Sequence, residues 1–167
     1  MSRQVNRMTD YIRNAVAEDF DEVDVILVQG SIYQITLEPD WMADTTGITK
    51  SDFDDYIDDP KKDILVCERN GELIGVIQLS IGIVEDKGLK YQPFGCIDEI
   101  AVADDYRSQG VGSTLMKAAE NWALERSLKM LRLDLWSKNS HAIGLYEKHG
   151  FKLIRQRMFR VIDENDA

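Results

Sequence analysis

The apolar positions of the chain change period partway along it. From Glu18 to Gln29, Phe20, Val23, Ile26 and Leu27 recur at three- and four-residue intervals. That spacing predicts an amphipathic helix. Gly30 falls where such a helix stops, and residues 31–49 read as irregular or weakly helical, punctuated by Pro39 and Gly47. Ser51 is placed to cap a short acidic helix, Asp52 to Asp58, that ends at Pro60. Tyr11-Ile12-Arg13 is a short extended start.

Beyond residue 60 the period becomes that of strands. Asp63 to Arg69 reads as a strand, Asn70-Gly71 as a hairpin turn, and Glu72 to Val84 as the long returning strand. Residues 85–94 form a loop with Gly and Pro, and Gly95 to Val102 is a further strand. The chain then alternates. Val111 to Arg126 is a helix with Val111, Leu115, Ala118, Ala119 and Trp122 on one face. Met130 to Trp136 is a strand, with Leu131, Leu133 and Leu135 alternating. Asn139 to His149 is a helix closed by Gly150, and Phe151 to Ile162 is a final strand-like stretch. This order predicts an α/β fold with helices on both faces of the sheet, and no linker divides the 167 residues into more than one domain.

Composition narrows the function classes. Hydrophobic residues make up 44% and charged residues 30%, which suits a folded globular chain rather than a disordered one. The net charge of -10 argues against a general nucleic-acid binder and against docking on anionic lipid. The charge is unevenly divided: residues 1–96 hold 19 acidic and 9 basic side chains, whereas residues 97–167 hold 11 of each. The N-terminal MSRQVNRMTDYIRN has no apolar signal core and no run reaches membrane-span length, so a cytoplasmic location is expected. Cys67 and Cys96 sit in strand-like segments and are expected to be buried thiols. His141 and His149 lie in one segment with no second ligand cluster, so no metal site is expected.

The stretch Asp104-Asp-Tyr-Arg107-Ser108-Gln109-Gly110-Val111-Gly112-Ser113-Thr114 joins a strand to a helix. Amides at a helix N-terminus carry a partial positive charge and can hold a phosphate or pyrophosphate. The segment lacks the Gly-Lys-Ser/Thr of a Walker loop, and the third glycine of a dinucleotide fingerprint is replaced by Leu115. A glycine-rich connection with no ligand is the bland alternative, and Arg107, Ser113 and Thr114 weigh toward an anion site.

Arg107-Ser-Gln-Gly110-Val-Gly112 resembles the Arg/Gln-x-x-Gly-x-Gly/Ala loop of the GNAT superfamily of N-acetyltransferases. Asp98 to Tyr106 looks like that family's central strand and its lead-in. Asn139-Ser-His-Ala142-Ile-Gly-Leu-Tyr146-Glu-Lys-His-Gly150-Phe151 looks like its second motif. The two motifs occur in order, with the intervening helix and strand, over residues 95–155. The resemblance implies a single-domain GNAT-like fold with a mixed, mostly antiparallel central sheet. It implies acetyl-CoA as co-substrate, direct transfer to an amine, and a small-molecule or peptide acceptor. Dimers are common in the family, so a homodimer is among its implications.

The resemblance also assigns roles. The pyrophosphate of coenzyme A would lie on Arg107, Ser108, Gln109, Gly110, Val111, Gly112, Ser113 and Thr114. The pantetheine would pair with the backbone of Ile100, Ala101 and Val102, and Asn139 would contact the same region while capping its helix. Tyr146 matches the family's general acid at the CoA sulfur. The base falls to Asp98 or Glu99: neighbours on a regular strand face opposite sides, and a bulge would change which of them reaches the cleft. The acidic run at 52, 54, 55, 58, 59 and 63 reads either as a solvated face or as a rim that attracts a cationic acceptor. Two other readings stand beside this one: a catalytically silent acyl-CoA-binding regulatory or interaction module, and a nucleotide-binding protein that prefers ATP or NAD.

Overall fold

The computed structural model of the chain describes residues 10–40, 42, 47–83 and 90–160. Five strands form one sheet in chain order: β1 (Tyr11–Asn14), β2 (Lys62–Arg69), β3 (Glu72–Gly82), β4 (Phe94–Val102) and β5 (Leu131–Leu133). The first three pairings are antiparallel and the β4–β5 pairing is parallel. The expected mixed, mostly antiparallel sheet is therefore present.

Helices cover both faces. On one, α1 (Phe20–Leu37) and α2 (Lys50–Asp58) bury Val23, Ile26, Leu27 and Phe53 against Ile64, Val66 and Val76. On the other, α3 (Val111–Glu125) and α4 (Ser140–Lys148) bury Leu115, Met116, Ala119 and Tyr146 against Ile74, Ile77 and Leu79. The near-continuous apolar runs of β2 and β3 follow from this double burial, since each strand has a core on both sides.

Several boundaries differ from the sequence reading. The first helix does not stop at Gly30 but runs on to Leu37. A β-carbon at Gly30 would come 3.1 Å from the Ala101 Cβ, so the glycine lets α1 lie close against β4 rather than ending the helix. The second helix is capped by Thr49, whose hydroxyl oxygen accepts from the Asp52 amide, and Ser51 lies inside it. The strand expected over 130–136 shrinks to Leu131–Leu133, and residues 151–160 form no strand. A run of apolar residues becomes a strand only where a partner edge takes its backbone bonds, and β5 offers three residues of edge. Val84, the loop segment 85–89 and the end of the last stretch, 161–162, lie outside the described residues. Cys67 is fully buried, and burial pushes its thiol up to about 11. Cys96 is half-buried rather than buried, with its thiol raised by the same cause; both are free cysteines.

Candidate active site

The site begins where the sheet comes apart. β4 pairs with β5 only from Gly95 to Ile97, so its remaining residues, Asp98 to Val102, have β3 on one side and no strand on the other among the described residues. An open strand edge offers backbone N–H and C=O groups to an extended ligand. Ile100, Ala101 and Val102 belong to this open stretch; the Val102 carbonyl already accepts from the Arg107 Nε at 3.3 Å.

A bulge places the two carboxylates. Gln78 opposes Glu99 and Leu79 opposes Ile97, which leaves Asp98 as the extra residue. Strict alternation is broken there, and both acids face α1 and α2. The Tyr56 hydroxyl of α2 donates to Asp98 Oδ2 at 2.9 Å. Glu99 lines a cavity of about 240 Å³ together with Leu27 and Ser31 of α1, Gly47, Ile48, Asp52 and Tyr56 around α2, and Gln78 of β3. Glu99 reaches solvent through the cleft, yet enough protein surrounds its carboxyl that burial holds its pKa above the ordinary value. Burial and then the Asp98 charge push the Tyr56 hydroxyl well up, so it stays protonated as the donor.

The glycine loop leads from β4 into α3. Gly110 has φ +90° and stands at the N-cap with no side-chain cap. The first bond back along α3 runs from the Thr114 amide to the Gly110 carbonyl at 3.1 Å. The amides of Val111, Gly112 and Ser113 therefore precede the helical ladder and point out of its positive end. Two side chains expected at an anion, Arg107 and Gln109, brace the loop. Arg107 donates to the carbonyls of Val102 and Gln29, pairs with Asp104 at 2.6 Å and stacks on the Tyr33 ring. Gln109 accepts from Arg69 Nη1 at 2.8 Å and donates to the Asp105 carbonyl. Ser108 is exposed at φ +60°, Ser113 is half-buried, and the Thr114 hydroxyl donates to the Gly110 carbonyl.

Tyr146 lies on α4, on the opposite face of the sheet from Glu99. It is 8% exposed, packs on Phe151, and its hydroxyl makes no hydrogen bond among the described residues. Burial raises its pKa, and the negative charge of Glu99 raises it further. Asn139 caps α4 by accepting from the Ala142 amide, and its Nδ2 donates to Gln34 Oε1 at 3.1 Å. Lys138 pairs with the buried Glu38 at 3.0 Å. The last turns of α1 thus tie directly to the turn that leads into α4.

Sequence reasoning missed three supports. Arg69, held by Asp10 at 2.7 Å and stacked on Tyr106, fixes Gln109 from the β2–β3 hairpin. Gln34 joins α1 to Asn139. Gln78 enters the cavity from β3, hidden in a run of apolar residues where its one polar side chain was the only signal. Among the described residues no cluster of His, Cys, Asp and Glu fit to hold a metal is found, and no helix is long and apolar enough to cross a membrane.

Residues 31–151 match the family model described as the acetyltransferase (GNAT) family. Streptothricin acetyltransferase A of Bacillus subtilis is 32% identical over 114 residues, covering 66% of this chain and 65% of that protein. A putative [ribosomal protein bS18]-alanine N-acetyltransferase of the same organism is 30% identical over 142 residues, covering 84% and 80%. The solved structure of AAC(6')-Iy in complex with the bisubstrate analogue CoA-S-monomethyl-acetylneamine superposes with a TM-score of 0.71 at 17% identity, over 93% of this chain and 99% of that one.

Proposed function

We propose that this chain, which belongs to the GNAT acetyltransferase family, is an acetyl-CoA-dependent N-acetyltransferase whose acceptor is a cationic amine on a small molecule or peptide. The observation that carries the reading is the joint of open strand edge and helix terminus. The edge of β4 that is unpaired among the described residues runs straight into a loop whose uncapped amides are placed to receive an anion. An extended pantetheine chain ending in a pyrophosphate needs both features, in that order. Support also comes from AAC(6')-Iy, which shares the fold and binds a CoA conjugate.

The chemistry follows from two titratable groups on either side of the opening. An ammonium has no lone pair and must lose a proton before it attacks. Glu99 is assigned the base because it lines the cavity and its raised pKa makes it a stronger proton acceptor than an ordinary carboxylate. Asp98 is assigned the positioning of Tyr56. The freed amine adds to the thioester carbonyl, forming the C–N bond. The oxyanion that develops is stabilised by N–H donors. Collapse breaks the C–S bond, the departing thiolate takes the Tyr146 hydroxyl proton, and the second proton that the acylated nitrogen sheds returns to the Tyr146 oxygen, while the first leaves Glu99 for solvent. The raised pKa of Tyr146 keeps that proton in place at neutral pH until the thiolate forms.

Calorimetric titration with CoA, in competition with ATP and NAD, tests the binding half. Preferred CoA binding is expected, and its absence contradicts the reading. Tyr146→Phe should lower kcat by about 100-fold or more with CoA affinity retained. Unchanged kcat would remove the acid from Tyr146. CoA binding without acetylation of any amine would leave a silent acyl-CoA-binding module in place of an enzyme.

A further inference from the structure

Gln78 is 6% exposed, lines the cavity, and makes no side-chain hydrogen bond among the described residues. Its amide reaches the open space of the cavity, where a ligand can bond it. Gln78 stands directly opposite Glu99 across the β3–β4 ladder, so the two side chains leave adjacent strands on the same face and enter the same cavity. At the shallow end lies Asp52, exposed on the first turn of α2 and oriented by the Thr49 hydroxyl, which donates to its Oδ2 at 2.6 Å. Among the nearby carboxylates of α2, Asp54 pairs with Lys50 and Asp55 with Lys62, whereas Asp52 pairs with no Lys or Arg among the described residues. Leu27 and Ile48 supply apolar wall.

We propose that Gln78 is a specificity-determining residue of the acceptor cavity: with Glu99 it holds the nitrogen of an aliphatic primary amine at the deep end, while Asp52 meets a second cationic centre of the same acceptor at the mouth. The proposal rests on the acetyltransferase reading above and names its substrate class. The side-chain carbonyl of Gln78 accepts one N–H of the entering ammonium and Glu99 takes the proton that must leave. The nitrogen lone pair is thereby fixed before attack, which is an orientation effect. An alkyl stem fits between Leu27 and Ile48, where a polar stem would lose water without compensation. At about 240 Å³ the cavity lies below the roughly 300–1,000 Å³ of sites that enclose a whole drug-sized ligand. It therefore takes a small diamine or one diamine-like end of a larger acceptor.

The test uses the full chain with acetyl-CoA and, as acceptors, α,ω-diaminoalkanes of three to six carbons beside n-alkylamines of matching length. The wild-type protein is expected to favour the best diamine over its matched monoamine by about ten-fold or more in kcat/KM. Gln78→Met keeps the length of the side chain and removes the amide; it should raise the KM of diamine and monoamine alike by about ten-fold, with the KM for acetyl-CoA unchanged. Gln78→Asn retains the amide one methylene short and should fall between, which guards against a folding defect in the Met variant. Asp52→Asn keeps an acceptor for the Thr49 hydroxyl and should raise the KM of the diamine only. Unaltered acceptor KM in both Gln78 variants, or an equal effect of Asp52→Asn on both acceptors, overturns the assignment while leaving the acetyltransferase reading intact. Acetylation of no amine at all, with CoA still bound, overturns that reading and this inference with it.

Discussion

Opposing demands meet on Glu99. Its carboxyl must lie out of bulk water to act as a base of raised pKa, and an ionised carboxylate pays for that position in stability. Because the pKa is higher in the folded than in the unfolded protein, the folded state holds the proton more tightly. The favourable contribution is complete below the unfolded value and is lost as pH rises through the folded value. Glu99→Gln should therefore raise Tm at pH 7, with the gain shrinking in melts near pH 4, while kcat drops by about 100-fold or more. A lower Tm at pH 7 would show that the ionised carboxylate has stabilising partners in the cleft. Asp98 and Glu99 also show what a linear reading can and cannot reach. Their residue types mark them as candidates, but which faces the cleft depends on the extra residue in the β4 ladder, and a bulge has no signature in these residues themselves.

Elements, rather than single side chains, hold the two halves of the site in register. Asn139 both starts α4 and binds α1 through Gln34. Asn139→Ala should cost about 1 kcal/mol from the lost cap, read as a Tm lower by about 2–4 °C. Arg69 acts through its neighbour, because its guanidinium holds Gln109, and Gln109 holds the turn before α3. Arg69→Ala is expected to raise the KM for acetyl-CoA several-fold with kcat little changed, the pattern of lost uniform binding. An equal fall in kcat would mean that the brace reaches the reacting atoms. At this scale the sequence pattern located α1 to α4 and β1 to β5, and left unread the short helical turns at Ala17–Asp19 and Asp104–Tyr106. It misjudged α1 because Gly30 serves a close approach to Ala101, and it overextended β5 and the segment after α4 because strand pairing depends on partners far away in the chain. Arg69 and Asp10, 59 residues apart, meet only in the fold.

The charge of the whole molecule follows the same division as its chemistry. The half with net charge -10 supplies α1, α2, β2 and β3, and with them Asp52 and Gln78 of the cavity proposed for the acceptor. The neutral half supplies β4 from Ile97 on, the glycine loop and α4. An acidic surface around the cavity raises the encounter rate of a cationic acceptor and is screened by salt. Accordingly kcat/KM for a diamine should fall as ionic strength rises from 0.02 to about 0.3 M, over which the Debye length drops below 10 Å, while kcat stays constant. Equal salt dependence for a zwitterionic amine of zero net charge would reduce the asymmetry to solubility.

The most direct measurement is the release of free CoA thiol from acetyl-CoA, followed with and without an aliphatic diamine in wild type and in Glu99→Gln. Thiol release that requires both the diamine and the Glu99 carboxylate, with one acetyl group recovered on the amine for each thiol formed, is the predicted result. Release no faster than in protein-free buffer, or release that is the same without any amine, would contradict it.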